Sequence, residues 1–440
     1  MSPQSIERVS RRKLLIGSAV GLGALYISPF ARAADEASFP PGWLPLQQLT
    51  DEPAWPDFRK IDDKIHLYLP PGVKTVRGVF ICFVFHSADA RELARLWQFA
   101  LVTVPWPFEY DFGHNDKRNG RFKLGHPAGD MSLLLRYLDH AASETKHPEL
   151  AIAPLVGWLG QNGSHLCGDL HTRVPERIIA WSDAFANRLA QYPEMTKQVP
   201  FAYAWEYSKG EEKERTAARE SRAGAVKNQA TQPPDFACRA NTYGFGHGIY
   251  SKFNFFMAYL DRCIQLRMPE DSPAPGEPTK LKSINIEQGW AGDYNPVSQW
   301  NPIAPAKEAR NMISPQWLPD AYAAAMWRSY HSAQPQVKLT SPTIEYRKAD
   351  GKWGGPACGL GYGGYLQANE PLTFTAETTG KFDRLEFYSG DLLLGGATES
   401  SPKLPGVKLK PGLHALYVIA TASDGTRSAS RPAYAIAKLS

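Results

Sequence analysis

Apolar and polar residues alternate along 64–69, with Ile65, Leu67 and Leu69 in step, which predicts a half-exposed strand ending at Pro70-Pro71-Gly72. Residues 79–85 form an unbroken apolar run, as expected of a strand buried on both faces of a parallel sheet. Helical spacing follows over 90–98, and a second strand over 99–104. A long helix is predicted over 130–145, with Leu133, Leu134, Tyr137 and Leu138 on one stripe. Further strands are predicted at 150–156, 177–181 and 199–205, separated by a glycine-rich turn and helices. Strands that alternate with helices specify a mostly parallel, doubly wound α/β sheet covered on both faces.

The rhythm changes near Pro335. From there short alternating segments recur every 8–12 residues between turn signals such as Ser389-Gly390-Asp391 and Asp424-Gly425. That pattern predicts a small all-β sandwich. The stretch resembles bacterial immunoglobulin-like modules, on the strength of Leu385-Glu386-Phe387-Tyr388, the glycine turn after it, and Pro411-Gly412-Leu413-His414-Ala415-Leu416. The resemblance implies a spacer, a tether or a sugar-binding module. Between the two parts, Gln316-Trp317-Leu318-Pro319-Asp320 opens a predicted helix, with Pro319 near its first position and Asp320 in its first turn. The helix carries Ala324, Trp327 and Tyr330, either packed on the sheet or as an aromatic rim to a cleft.

At 440 residues, with 43% hydrophobic and 21% charged residues, the chain has ordinary globular usage, which excludes wholesale disorder. The net charge of +5 is concentrated at the amino terminus. Residues 1–33 hold Arg8, Arg11, Arg12, Lys13 and Arg32 against Glu7, and without them 44 basic residues face 43 acidic ones. Such a balance gives no field to attract nucleic acid. Arg11-Arg12, a mildly apolar glycine-rich run from Ile16 to Ser28, and Ala31-Arg32-Ala33 together read as a secretory signal of twin-arginine type cut before Ala34. The run is shorter than the ~20 apolar residues that span a bilayer. The expected organisation is a signal peptide at 1–33, an α/β part at 34–334 and a sandwich at 335–440. The expected partners are the twin-arginine machinery and an ester substrate, small or polymeric, in the periplasm or outside. Cys82, Cys167, Cys238, Cys263 and Cys358 are scattered and odd in number, so they form no disulfide scaffold, although one bridge is open to them.

An open parallel sheet binds ligands outside the carboxyl ends of its strands. The segments after the predicted strands contain His86-Ser87, then Gly157-Trp158-Leu159-Gly160-Gln161-Asn162-Gly163-Ser164-His165, then Glu206-Tyr207, then Gly246-His247-Gly248. This layout resembles exported esterases and polyester-depolymerase-like proteins of the α/β-hydrolase family over residues 62–270. The resemblance implies a nucleophile, an acid and a histidine in that chain order. No G-x-S-x-G occurs, and Asn162 stands where the serine of that motif would be. Asparagine is no nucleophile, so the expected set is Ser164, His247 and Glu206, with His86, Ser87, Asn162 and His165 around the oxyanion and the substrate. The rival expectation is a catalytically inactive relative that binds a ligand or a glycan. The string His165, Cys167, Asp169, His171 offers zinc-ligand types, but on a helix its two histidines point about 120° apart. No metal or other cofactor is expected.

Overall fold

The structure is a computed structural model in which residues 47–48, 66–83, 88–104, 132–159, 163–183, 193–204, 235–240, 249–271, 273–274, 276–295, 297–333, 335–342 and 365–439 are described. Eight strands form the first sheet: β1 (Gln47–Gln48), β2 (His66–Tyr68), β3 (Gly78–Phe83), β4 (Phe99–Val104), β5 (Leu155–Leu159), β6 (Ile178–Asp183), β7 (Phe201–Tyr203) and β8 (Ala237–Arg239). Their order across the sheet is β1-β2-β4-β3-β5-β6-β7-β8. Neighbouring strands from β4 to β8 all run parallel, while β2 is antiparallel to β4. The helices between them are α1 (Ala88–Trp97), α2 (Ser132–Thr145), α3 (Gly163–Arg173), α4 (Pro193–Gln198) and α5 (Ile249–Arg267).

The apolar run that predicted β3 is buried from Val79 to Cys82, as a central strand of a covered sheet requires. One strand lies later than its sequence pattern suggests. Residues 148–151 make a 3₁₀ turn, and β5 begins only at Leu155. Pro154 marks the shift, because it lacks an N–H for the ladder and sits just ahead of the strand. Gly157 is a fixed requirement of β5: a Cβ there would run into the Trp181 indole on β6. Trp158 and Trp181 are both fully buried, so bulky aromatics fill the two faces beneath the strand ends.

The edge beyond β8 is closed by a small antiparallel sheet of β9 (Trp290–Asp293), β10 (Ile303–Pro305) and β11 (Pro315–Leu318). The Gln316 side chain accepts a hydrogen bond from the Arg239 N–H at 2.9 Å, and Trp317 meets Phe236 edge to face at 5.0 Å. Covering an edge in this way removes a template for unwanted strand pairing. The next helix, α6 (Ala321–Tyr330), begins one residue later than its sequence signature suggests. Asp320 is its N-cap, not a first-turn residue, and accepts from Ala323 N–H at 2.8 Å. Trp327 is fully buried against Gly292 and Tyr294, so this helix packs inward and offers no aromatic rim.

The carboxy-terminal strands are β12 (Val337–Ser341), β13 (Tyr365–Gln367), β14 (Pro371–Thr378), β15 (Arg384–Ser389), β16 (Leu392–Ala397), β17 (Lys403–Lys408), β18 (Gly412–Thr421), β19 (Arg427–Ala429) and β20 (Ala433–Lys438). They form one sheet β12-β14-β17 and another β13-β20-β18-β15-β16, with β19 paired to β18. All pairs are antiparallel except β13 with β20. Phe374 and Ala376 from the first sheet and Leu385, Phe387, Val418 and Ala435 from the second share one core, with Phe374 and Phe387 edge to face at 5.9 Å.

This sandwich is clasped to the helices of the parallel-sheet part. The Tyr322 hydroxyl on α6 accepts from Ala415 N–H at 2.8 Å, Ser329 donates to the Ser430 carbonyl, and Lys438 pairs with Glu92 of α1 at 2.9 Å. Gly390, at φ +58, lies against the Tyr322 ring where any Cβ would collide.

Near the clasp, Asp261 of α5 is buried, and desolvation raises its pKa to about 6 despite hydrogen bonds from Trp97 Nε1 and Gln265 Nε2 at 2.8 Å each. Between about pH 4 and pH 6 the folded protein therefore keeps a proton that the unfolded chain has released. Stability from this group is full below pH 4 and is lost as the pH rises through 6, by about 2–3 kcal/mol in all. Asp261→Asn, which preserves shape, is expected to flatten this part of the stability curve. Thermal melts of both proteins between pH 4 and pH 7 measure the difference.

Candidate active site

The parallel strands end level with one another. Residue pairing across the sheet aligns Val104 with Phe83, Leu159 with Asp183, Asp183 with Tyr203, and Tyr203 with Arg239, while Cys82 beside Trp158 sets β3 level with β5. The chain leaves β3 for β4 on one side, then crosses back over β3 to β5 and continues outward to β8. Strand order thus reverses between β3 and β5, and the crevice outside their carboxyl ends is where ligands bind in open α/β sheets.

Every candidate residue from the sequence comes after one of these aligned strand ends. His86 and Ser87 follow β3, Asn162 follows β5, Glu206 follows β7 and His247 follows β8; all five lie outside the described residues. Ser164 and His165 occupy the first turn of α3, immediately beyond β5, and their side chains also lie outside the described residues. The loop from β8 to α5 comprises residues 240–248. At up to about 3.5 Å per residue it can reach across three strand spacings of about 4.8 Å, from β8 to β5.

Asp183 is a further candidate, absent from the set expected on sequence. It closes β6, the strand next to β5, and is fully buried. A carboxylate taken wholly out of water is costly unless other groups hold it, so a buried aspartate at the end of a central strand is a candidate for a functional role. Its charge reaches Cys167, one helical turn beyond Ser164 on α3: burial raises the Cys167 pKa, and Asp183 raises it further. The carboxylate therefore lies within electrostatic reach of Cys167 in α3. Glu206, by comparison, follows a strand two spacings, or about 10 Å, from β5. The signal in the sequence is the polar pair Ser182-Asp183 ending an otherwise apolar run.

The rim is supported from below and from one side. Ser182 donates to the Gly157 carbonyl at 3.2 Å, which ties β6 to β5 just beneath their ends. At the far end, the Arg239 carbonyl accepts from Trp327 Nε1 at 2.9 Å, Ala240 N–H donates to the Tyr203 carbonyl at 2.7 Å, and the Arg239 guanidinium lies over the rings of Tyr203 and Tyr294. The base of the loop that carries His247 is thus anchored by α6. In α3, Cys167 is buried and Asp169 pairs with Arg173 at 2.9 Å. Among the described residues no three His, Cys, Asp or Glu side chains gather closely enough to hold a metal ion.

No family model and no curated protein matches the chain. Among solved structures it is similar to an alpha-beta serine hydrolase homologue from Coxiella burnetii, at 14% identity over 45% of this chain and 89% of that one, with a TM-score of 0.26. It is also similar to the fibronectin(III)-like modules of CbhA from Clostridium thermocellum, at 21% identity over 24% of this chain, with a TM-score of 0.18. The chain covers 46% of the latter, less than half its length. Likenesses this faint carry no weight for or against an activity.

Proposed function

We propose that the protein is an exported ester hydrolase of α/β-hydrolase type. Ser164 attacks the ester carbonyl, His247 takes the hydroxyl proton and returns it to the leaving alcohol, and Asp183 or Glu206 orients the imidazole. Backbone N–H groups near Asn162 and His86-Ser87 receive the negative charge that develops on the carbonyl oxygen. The observation that carries this reading is the alignment of the strand ends: loops far apart in sequence depart from one shelf, at the point where strand order reverses. Export by the twin-arginine route, release before Ala34 and a periplasmic or extracellular place of work belong to the same proposal and rest on the amino-terminal sequence. So does the division at about residue 335 between a hydrolase-like part and an immunoglobulin-like sandwich.

A fluorophosphonate probe tests the assignment. The full chain is expected to be labelled covalently at Ser164, and Ser164→Ala is expected to abolish both the labelling and the turnover of short acyl esters. Asn162 at the usual serine position favours a second reading, an inactive relative that keeps the crevice for ligand binding. Failure of the probe to label, together with no turnover, selects that reading.

A further inference from the structure

A second cleft lies where the sandwich meets the segment between β9 and β10, on the outward face of the second sandwich sheet. It has a volume of about 500 Å³ and is lined by Ser298, Gln299, Trp300, Gly425, Thr426 and Arg427, within the range of small-molecule sites. Its charge is unusual. The Arg328 guanidinium sits 4.0 Å from the centre of the Trp300 ring and that of Arg427 sits 5.5 Å away. Neither forms an ion pair with a described residue; the Tyr417 hydroxyl interacts with the Arg328 guanidinium, but Arg328 Nε has no hydrogen-bond partner among the described residues. Burial lowers the Arg328 pKa; the Tyr417 and Tyr388 hydroxyls work in the opposite direction, and the nearby Arg427 adds a smaller lowering.

The acids nearby are otherwise engaged. Glu386 pairs with Arg384 at 3.4 Å, and Asp424 accepts the Thr426 N–H at 2.8 Å within its own turn. Two cations held against one indole without a counter-ion repel each other, and an anion between them relieves that repulsion. The polar groups of the cleft divide the same way. Ser298 is spent on its own turn, bonding the Trp300 carbonyl at 2.9 Å and Trp300 N–H at 3.2 Å. The Gln299 amide, by contrast, makes no hydrogen bond to a described residue.

We infer that this cleft binds an acidic sugar, with the carboxylate of a uronic acid on the Arg427 fork, the ring beside Trp300 and a hydroxyl on the Gln299 amide. A uronate carries on one rigid ring the three features that the cleft complements. Its carboxylate matches a guanidinium in two-point geometry, its apolar C–H face suits an indole, and its hydroxyls suit an amide. Nothing in this inference depends on the hydrolase reading, because the cleft uses none of the residues assigned to catalysis.

Calorimetric titration of the full chain with trigalacturonate, maltotriose and inorganic phosphate decides the matter. Trigalacturonate is expected to saturate one site, with affinity falling as salt is added. Arg427→Ala, at an exposed position, is expected to weaken binding at least tenfold with an unchanged melting temperature. Arg427→Lys keeps the charge but loses the fork, and should lie between the two. The inference is overturned if the wild type shows no saturable binding, or if Arg427→Ala and Arg427→Lys both bind like the wild type. Equal binding of maltotriose would show that charge is not read, and equal competition by phosphate would show that the sugar is not.

Discussion

Asp183→Asn is expected to lower kcat toward a short acyl ester by about 10³–10⁴ while leaving KM nearly unchanged. A carboxylate that orients a catalytic imidazole holds one tautomer in place and stabilises the charged ring that forms during reaction. Asparagine fills the same space but presents the wrong hydrogen-bonding face. Because Asp183 is fully buried at the end of β6, an isosteric replacement is needed to separate chemistry from packing. Circular dichroism should show the variant folded. Glu206→Gln is the matched comparison and is expected to stay within about tenfold of the wild type; the reverse ranking would move the acid to the loop after β7.

The second large effect falls far from the crevice. Trp327→Ala is expected to destabilise the protein by about 3–5 kcal/mol, read from urea denaturation, because it empties a fully buried indole site. The same change removes the 2.9 Å hydrogen bond to the Arg239 carbonyl. That bond fixes the last residue of β8, from which the loop bearing His247 departs. Trp327→Phe keeps most of the volume and loses only the N–H donor, so it should recover most of the stability. If the anchor positions the histidine, Trp327→Phe will still turn over ester more slowly than the wild type. Equal turnover would reduce the role of α6 to packing.

Much of the fold is legible from periodicity alone, because strands buried on both faces announce themselves as unbroken apolar runs. Residues 79–85 and 99–104 do so, and β3 and β4 lie where the pattern puts them. The rule weakens where an apolar run includes a non-strand turn, as at 150–154, since burial and extended geometry are separate properties. Helix α6 shows the converse: its tryptophan could be rim or core on spacing alone, and only the third dimension supplies Gly292 as its seat. The crevice is legible because each strand hands its chain to a loop at the same rim, and the loops carry the polar residues. Asp183 escapes that logic because it is the last residue of its strand and not the first of the next loop, a distinction that one hydrogen-bond register decides.

The clasp between sandwich and helices has a practical corollary for anyone cutting the gene. Tyr417, Ile419 and Ala429 on one side and Ala325 on the other bury each other's greasy surfaces, so severing the polypeptide near residue 335 would bare both halves at once. Each fragment is expected to be less soluble than the intact chain, which sedimentation of the separately produced pieces would show.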